Sequence, residues 1–229
     1  MKPIDTHPLS IGIIMDGNRR YAKARGLSTL EGHKQGYSRL KDIISWSRDA
    51  GVGYVTVYAF STENWNRAEE EVGYLMNLFR TVIVEVTKEA KEKGTRIIFL
   101  GQRERFAPDM QTAMNESEES TKSCTALTLA VALSYGGRQE ILDAVHRISA
   151  EKIASISEEE FSNMLWTKDV IDPDFIIRTS GEERLSNFLP WQSVYSELFF
   201  TKTLWPDFSK EEFLSIIEAY NSRERRLGK

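Results

Sequence analysis

A chain of 229 residues, 41% of them hydrophobic and 28% charged, has the length of one α/β domain that buries its core without covalent staples. The lone cysteine, Cys124, excludes an internal disulfide or a cysteine-rich zinc site, and a net charge of −4 gives no global basic field for nucleic acid. Residues 1–10 lack the apolar centre of a signal peptide and no run approaches a membrane span, so a cytoplasmic protein in a reducing compartment is expected.

Residues 11–15 form a short apolar run of buried-strand type, followed by a polar, basic stretch over 16–26. Tyr37, Leu40, Ile43, Ile44 and Ser47 share one stripe of a helix expected over about residues 34–50, which Gly51 ends. The β-branched and aromatic run at 52–60 reads as a second strand. A loop at 61–67 leads into a long helix over 69–92, stopped near Gly94. Further strands are expected at 96–100, 127–133, 175–177 and 196–200, with helices at 108–123 and 138–150. Ser157 with Glu160, and Ser209 with Glu212, have capping-box spacing ahead of a short helix and a last one reaching about residue 226.

Strands separated by helices imply right-handed βαβ units, hence one α/β domain over 1–229 with a six-stranded, mostly parallel sheet flanked by helices. Ligands of such sheets bind beyond the carboxyl ends of the strands. That rule selects residues 16–26, 61–67, 134–138 and 178–187.

Chemistry concentrates in these segments. In Ile14-Met15-Asp16-Gly17-Asn18-Arg19-Arg20 an acid at a strand end precedes a glycine and two arginines. A carboxylate can hold Mg²⁺ through oxygen, while amides and guanidinium forks take phosphate oxygens. A plain surface turn is the bland alternative, and a phosphatase with Asp16 as nucleophile is a rival one, weakened because Asn18 stands where a second acid is usual. In Phe60-Ser61-Thr62-Glu63-Asn64-Trp65-Asn66-Arg67, with Glu71 beyond, polar groups can face the same cleft, or the tryptophan is simply packed. Arg178 and Arg184 flank Ser180-Gly181, with Ser186 downstream, which suits a diphosphate clamp; surface ion pairs with the neighbouring glutamates are the alternative, weakened because Arg178 directly ends a buried-strand run. His33 opens a helix as a structural hydrogen-bonder or a site residue, and with His7 and His146 the only others, no His-rich metal site is expected. The helix from Val72 to Val84 is apolar around most of its circumference, so its surplus face lines extra core, a dimer interface or a lipid cavity.

Taken together, these segments resemble the cis-prenyltransferases, whose bacterial members are typified by the undecaprenyl diphosphate synthases. The resemblance runs over about residues 11–228. It rests on Met15-Asp16-Gly17-Asn18-Arg19-Arg20, Gly32-His33 with Gly36, Tyr58-Ala59-Phe60-Ser61-Thr62-Glu63-Asn64-Trp65, Ser134-Tyr135-Gly136-Gly137-Arg138, Arg178-Thr179-Ser180-Gly181-Glu182, Arg184-Leu185-Ser186-Asn187-Phe188-Leu189 with Trp191-Gln192, and Leu204-Trp205-Pro206-Asp207-Phe208. It implies an apolar tunnel in the sheet domain, a homodimer, and Z-type addition of isopentenyl diphosphate to an allylic diphosphate such as farnesyl diphosphate. The product implied is a long, undecaprenyl-like lipid carrier, handed over by transient contact with the membrane surface.

The same resemblance implies residue roles. Asp16 would bind Mg²⁺ and assist departure of the allylic diphosphate, which Gly17, Asn18, Arg19 and Arg20 would hold with Tyr21 and His33 nearby. Ser61 and Asn64 would orient or deprotonate the condensing unit, in a pocket shaped by Thr62, Glu63, Trp65, Arg67 and Glu71. Arg178, Arg184 and Ser186, with Leu185 between, would bind isopentenyl diphosphate. Glu197 would complete the Mg²⁺ site across the dimer, and Arg226-Leu227-Gly228 looks like a terminal element that reaches the neighbouring subunit. Departures from the family pattern are Thr29 at a usually basic position, Tyr21 for tryptophan, Ala68 for proline, and Pro190 between Leu189 and Trp191. Small Ala59 leaves the tunnel open, which favours a long product over a short-chain Z-synthase. Retention of Asp16, Asn18 and Arg20 argues against a non-catalytic partner subunit.

Overall fold

The computed structural model describes residues 7–149 and 152–223. Six strands, β1 (Ser10–Ile14), β2 (Tyr54–Ser61), β3 (Thr95–Leu100), β4 (Leu127–Tyr135), β5 (Phe175–Arg178) and β6 (Glu197–Phe200), form one sheet in the order β3-β4-β2-β1-β5-β6. Every pairing is parallel. Its inner strands are mostly apolar, with a few buried Ser and Thr residues such as Ser10, Thr56 and Thr128, because helices or loops cover both faces and leave no solvent side for regular alternation.

Among the described residues seven α-helices accompany the sheet: α1 (Asn18–Ala24), α2 (Thr29–Asp49), α3 (Glu69–Glu92), α4 (Pro108–Thr121), α5 (Gly137–Arg147), α6 (Glu158–Ser162) and α7 (Lys210–Ser222). Register places Ile11, Val55, Leu129, Ile97 and Phe175 in one row across the sheet. On that face Leu40 and Ile43 of α2 and Phe213 and Ile217 of α7 close the centre, while α3 and α4 close the β3 side with Leu75, Ile83, Met110 and Met114. The other face buries Ala130, Ala132 and Ile176 beneath Phe188 and Leu189. Ala144 of α5 and Phe161 of α6 form a smaller cluster there with Trp191 at its edge.

Four expectations change. The basic stretch after β1 contains helix α1, invisible to a periodicity argument because it buries only Ala22. Helix α2 starts at Thr29, capped by Ser28 and Glu31, since Gly32 and Gly36 are crossing points rather than breakers. A Cβ on Gly32 would lie 2.3 Å from the Asn18 carbonyl oxygen. The last helix ends at Ser222, where Arg223 turns extended. Arg226-Leu227-Gly228 lies outside the described residues. Its cap is half of the expected box: Ser209 accepts from the Glu212 N–H, but the Glu212 carboxylate takes the Thr201 hydroxyl instead.

Strand order fixes where a ligand goes. From β1 the chain moves to β2 on one side, and from β5 to β6 on the other. The carboxyl ends of these two neighbours therefore border the crevice that open parallel sheets use for ligands.

Candidate active site

Beyond β1 the chain turns sharply, Asp16 N donating to the Ile14 carbonyl at 2.9 Å. Gly17 follows with φ of 116°, a conformation that L side chains rarely adopt. A Cβ there would come within 3.1 Å of Leu204 Cα, Ser180 Cβ and Trp205 N. Trp205 N and the Thr179 hydroxyl both donate to the Asp16 carbonyl, at 3.0 and 2.6 Å. Trp205 also donates from its indole to the Gly36 carbonyl at 2.8 Å, so Leu204-Trp205-Pro206 is a seat for the Asp16 turn.

Opposite Ile14 in the ladder, Arg178 ends β5 with its side chain only 5% exposed. It donates from Nη2 to Asp16 Oδ2 at 2.9 Å and from Nη1 to Ser186 Oγ at 2.8 Å and to the Arg184 carbonyl. Among the described residues its buried Nε has no hydrogen-bond partner. Arg20 stands 3.3 Å from the same Asp16 oxygen and donates to the Ser180 carbonyl. Arg184, by contrast, is an exposed arm paired with Glu182. A deeply buried guanidinium beside a second arginine and one carboxylate makes this rim receptive to an anion. Ser180, Ser186, Asn187 and Leu189 all have positive φ, and such strain gathers where a structure over-determines a ligand clamp.

The loop after β2 brings a second group of polar side chains to the rim. Asn64 Oδ1 accepts from Ser61 N at 3.1 Å, and Glu63 accepts from Asn187 Nδ2 at 3.1 Å. Behind them Glu71 takes Arg67 at 2.9 Å and His33 Nε2 at 3.3 Å on one oxygen. Burial pushes the Glu71 carboxyl up, but Arg67, the His33 hydrogen bond and Arg19 together hold it below the ordinary carboxylate range. Burial lowers the His33 value against the pull of Glu71, which keeps the imidazole neutral with its Nε2 proton directed at the carboxylate.

A cavity of about 660 Å³ opens between these two groups. Its mouth carries Asp16, Asn18, His33, Ser61, Glu63, Asn64, Arg67, Arg178 and Ser186. Its depth is apolar: Leu75, Leu78, Phe79, Val82, Ile83 and Val86 of α3 face Ile97, Phe99, Leu129 and Val131 of the sheet. The surplus apolar face of α3 is thus the wall of a pocket.

The remaining expected residues sit around this mouth or away from it. Gly17 sits in the chain between the lining residues Asp16 and Asn18, Glu71 holds the lining residues Arg67 and His33, and Arg184 and Leu185 directly precede Ser186. Arg19, Arg20 and Tyr21 stand on α1 at the outer edge, with the Arg25 guanidinium 3.9 Å above the Tyr21 ring. Thr62 and Trp65 turn from the cavity; Trp65 packs on Phe60 and Phe106 and donates to Ser134 Oγ at 2.9 Å. Glu197 begins β6 level with Ile11, at the opposite end of the sheet from Asp16, and pairs with Arg223. It therefore does not join Asp16 within one chain. Tyr58 and Asn187, quoted above only within motifs and given no role of their own, also line the cavity. Asn187 closes the Arg184-Leu185-Ser186 string, and its tolerance of left-handed backbone was the available signal.

No cluster of three or more His, Cys, Asp or Glu side chains suited to a metal exists among the described residues. Asp16 fits a hard cation in another way. Both of its ion-pair contacts fall on Oδ2, and Mg²⁺ is commonly held by one or two carboxylates together with substrate phosphates.

A parallel sheet with an arginine-bearing rim above an apolar pocket defines a site for substrates with an anionic head and a greasy tail. The family model described as "Putative undecaprenyl diphosphate synthase" matches residues 14–228. An isoprenyl transferase of Thermotoga maritima is 48% identical, with 96% of this chain and 97% of that protein covered. One from Fusobacterium nucleatum subsp. nucleatum is 47% identical, with 96% of each covered. Among solved structures, lavandulyl diphosphate synthase from Lavandula x intermedia, in complex with dimethylallyl diphosphate, superposes with a TM-score of 0.92 at 32% identity, covering 97% of this chain and 98% of that one. A probable undecaprenyl diphosphate synthase from Campylobacter jejuni superposes with a TM-score of 0.83 at 30% identity, covering 98% and 100%. The chain belongs to the undecaprenyl diphosphate synthase family of cis-prenyltransferases, and is a transferase of prenyl groups.

Proposed function

We propose that this transferase extends an allylic diphosphate such as farnesyl diphosphate by successive Z additions of isopentenyl diphosphate, to a long, undecaprenyl-like polyprenyl diphosphate. The observation that carries the reading is the cavity itself, which runs from paired arginine and carboxylate groups at the rim to α3 and the sheet floor. At about 660 Å³ it falls within the roughly 300–1,000 Å³ of sites that enclose a small-molecule ligand.

In this reading Asn18 and Arg20, with the amides after Gly17, hold the allylic diphosphate beside Asp16. Mg²⁺, when held by Asp16 and the phosphate oxygens, supplies charge that stabilises the departing diphosphate. Arg178, Arg184 and Ser186 hold isopentenyl diphosphate so that its double bond meets the ionising carbon, converting an encounter into a positioned reaction. Asn64 and Ser61 orient that unit as it loses a proton. Each methylene entering the apolar depth contributes about 0.8 kcal/mol, which draws the tail inward. Glu197 reaches such a site only in an assembly of two copies, so a homodimer is part of the proposal. We place the enzyme in the cytoplasm, touching the membrane surface to release product. No helix among the described residues is long and apolar enough to cross a membrane.

The test is incubation of the purified chain with farnesyl diphosphate, labelled isopentenyl diphosphate and Mg²⁺, with thin-layer analysis of products. A ladder ending in a long polyprenyl diphosphate is expected. A product stopping after one or two additions would make this a short-chain Z-synthase; no incorporation with any allylic primer would make it a non-catalytic subunit.

A further inference from the structure

Asn187 lies at the junction of three rim segments that come from three different strands. Its side-chain Oδ1 accepts from Arg138 N at 2.9 Å, and its Nδ2 donates to Glu63 Oε1 and to Gln139 Oε1, each at 3.1 Å. Its own carbonyl accepts from Gly137 N at 2.8 Å. Glu63 belongs to the turn that carries Ser61 and Asn64 after β2, whereas Gly137 and Arg138 open α5 after β4. On the same backbone, one residue earlier, Ser186 accepts Arg178 on its hydroxyl and Tyr58 on its carbonyl.

The surroundings leave this asparagine little freedom. Its φ is 68°, and Ser186 and Leu189 are also left-handed, so the loop is held in a shape that most side chains resist. A Cβ on Gly136 would approach Asn187 Nδ2 at 2.7 Å, and one on Gly137 would meet the Pro190 ring at 2.0 Å. Two consecutive glycines thus allow the β4 turn to close on the loop. Glu63 supplies the matching acceptor. Burial raises its carboxyl, but its own backbone N–H, the Ser61 hydroxyl and the Asn187 amide outweigh that and keep it ionised.

We infer that Asn187 is a positioning residue that fixes the distance between the Ser61–Asn64 turn and the Arg178–Ser186 clamp, and so holds isopentenyl diphosphate in line between the clamp and the side chains that orient it. This rests on the two-diphosphate reading proposed above. An amide is required because the site asks for an acceptor toward Arg138 N and a donor toward Glu63 on one short side chain, and no other side chain of that length offers both. Loss of the link frees the turn against the clamp. Misplacing reacting groups by about 1 Å can cost on the order of a hundredfold in rate without a change of fold.

The experiment compares wild type with Asn187→Ala, Asn187→Gly, Asn187→Asp and the double variant Asn187→Asp with Glu63→Gln. Asn187→Gly relieves the left-handed backbone but removes the amide, so it separates strain from hydrogen bonding. Asn187→Asp sets a carboxylate against Glu63, and Glu63→Gln then restores a donor. Each single change at Asn187 should lower kcat/KM for isopentenyl diphosphate about ten- to a hundredfold, with the melting transition of at least one of them unchanged. The double variant should recover about tenfold over Asn187→Asp. Active single variants within about twofold of wild type, or no recovery in the double variant, overturn the role. Inactive wild-type protein would instead sink the proposed reaction. The link is then read by calorimetric binding of inorganic pyrophosphate with Mg²⁺, which must weaken in Asn187→Ala and recover in the double variant, or the inference falls too.

Discussion

Arg178 and Asp16 stand 162 residues apart in the chain and are joined Nη2 to Oδ2 at 2.9 Å. The sheet sets this pair, because β1 and β5 are neighbours and Ile14 lies level with Arg178. A guanidinium 5% exposed is thus held ready for a second anion by one that the fold already provides.

Asp16→Ala should leave a folded protein with kcat reduced by about a thousandfold or more, since the carboxylate is lost where leaving-group charge develops. Asp16→Asn keeps an acceptor for Arg178 but not the charge, and should be similarly slow. Label incorporation with a circular-dichroism melt checks both, and wild-type turnover in either variant would refute the assignment.

Ala59 lies on the cavity wall among the larger side chains of α3. Enlarging it to leucine narrows the pocket without altering the charged rim, so the product should shorten while the first addition persists. Chain-length analysis decides, and an unchanged ladder would remove Ala59 from the wall that limits the tail.

Acid should loosen the His33–Glu71–Arg67 cluster. His33 is lowered in the folded protein from an ordinary value of 6.5, so the unfolded chain binds the proton first and stability declines as pH falls below that value. Glu71 is also lowered, and its contribution, present above the ordinary carboxylate value, is lost as pH falls further. Urea midpoints measured from pH 8 to 5 should fall in wild type and fall less near 6.5 in His33→Asn. Parallel curves would show that His33 does not carry the effect.

Glu140 is fully buried and accepts from the Tyr135 hydroxyl at 2.5 Å, Gln192 at 3.0 Å and Thr167 N at 3.1 Å. Glu140→Ala would orphan these donors in the interior and should cost about 3 kcal/mol of stability. Denaturant unfolding measures it, and a loss below about 1 kcal/mol would mean that water or a shifted side chain replaces the carboxylate.

Parts of this molecule are readable from residues alone and parts are not. Helix α3 was legible to its ends, since an apolar face of 3.6-residue period runs unbroken from an acidic first turn to Gly94. Helix α1 was not, because Arg19, Arg20 and Lys23 present no stripe and the helix exists by packing Ala22 against α2. Trp65 shows the same limit within the site. Its place beside Asn64 in sequence suggested the pocket, yet its indole faces Ser134 and its ring faces Phe60.

Sequence by itself determined the alternation of strands and helices, the four rim segments, and the identity of the acid and arginines that could meet there. Tertiary structure decided which of them do meet. Strand order brings Asp16 to Arg178 and carries Glu197 to the far end of the sheet, and left-handed backbone at Asn187 ties one loop to two others. The physical reason is range: hydrophobic period and capping are local, whereas the neighbour of a strand end is chosen by how every helix covers the sheet.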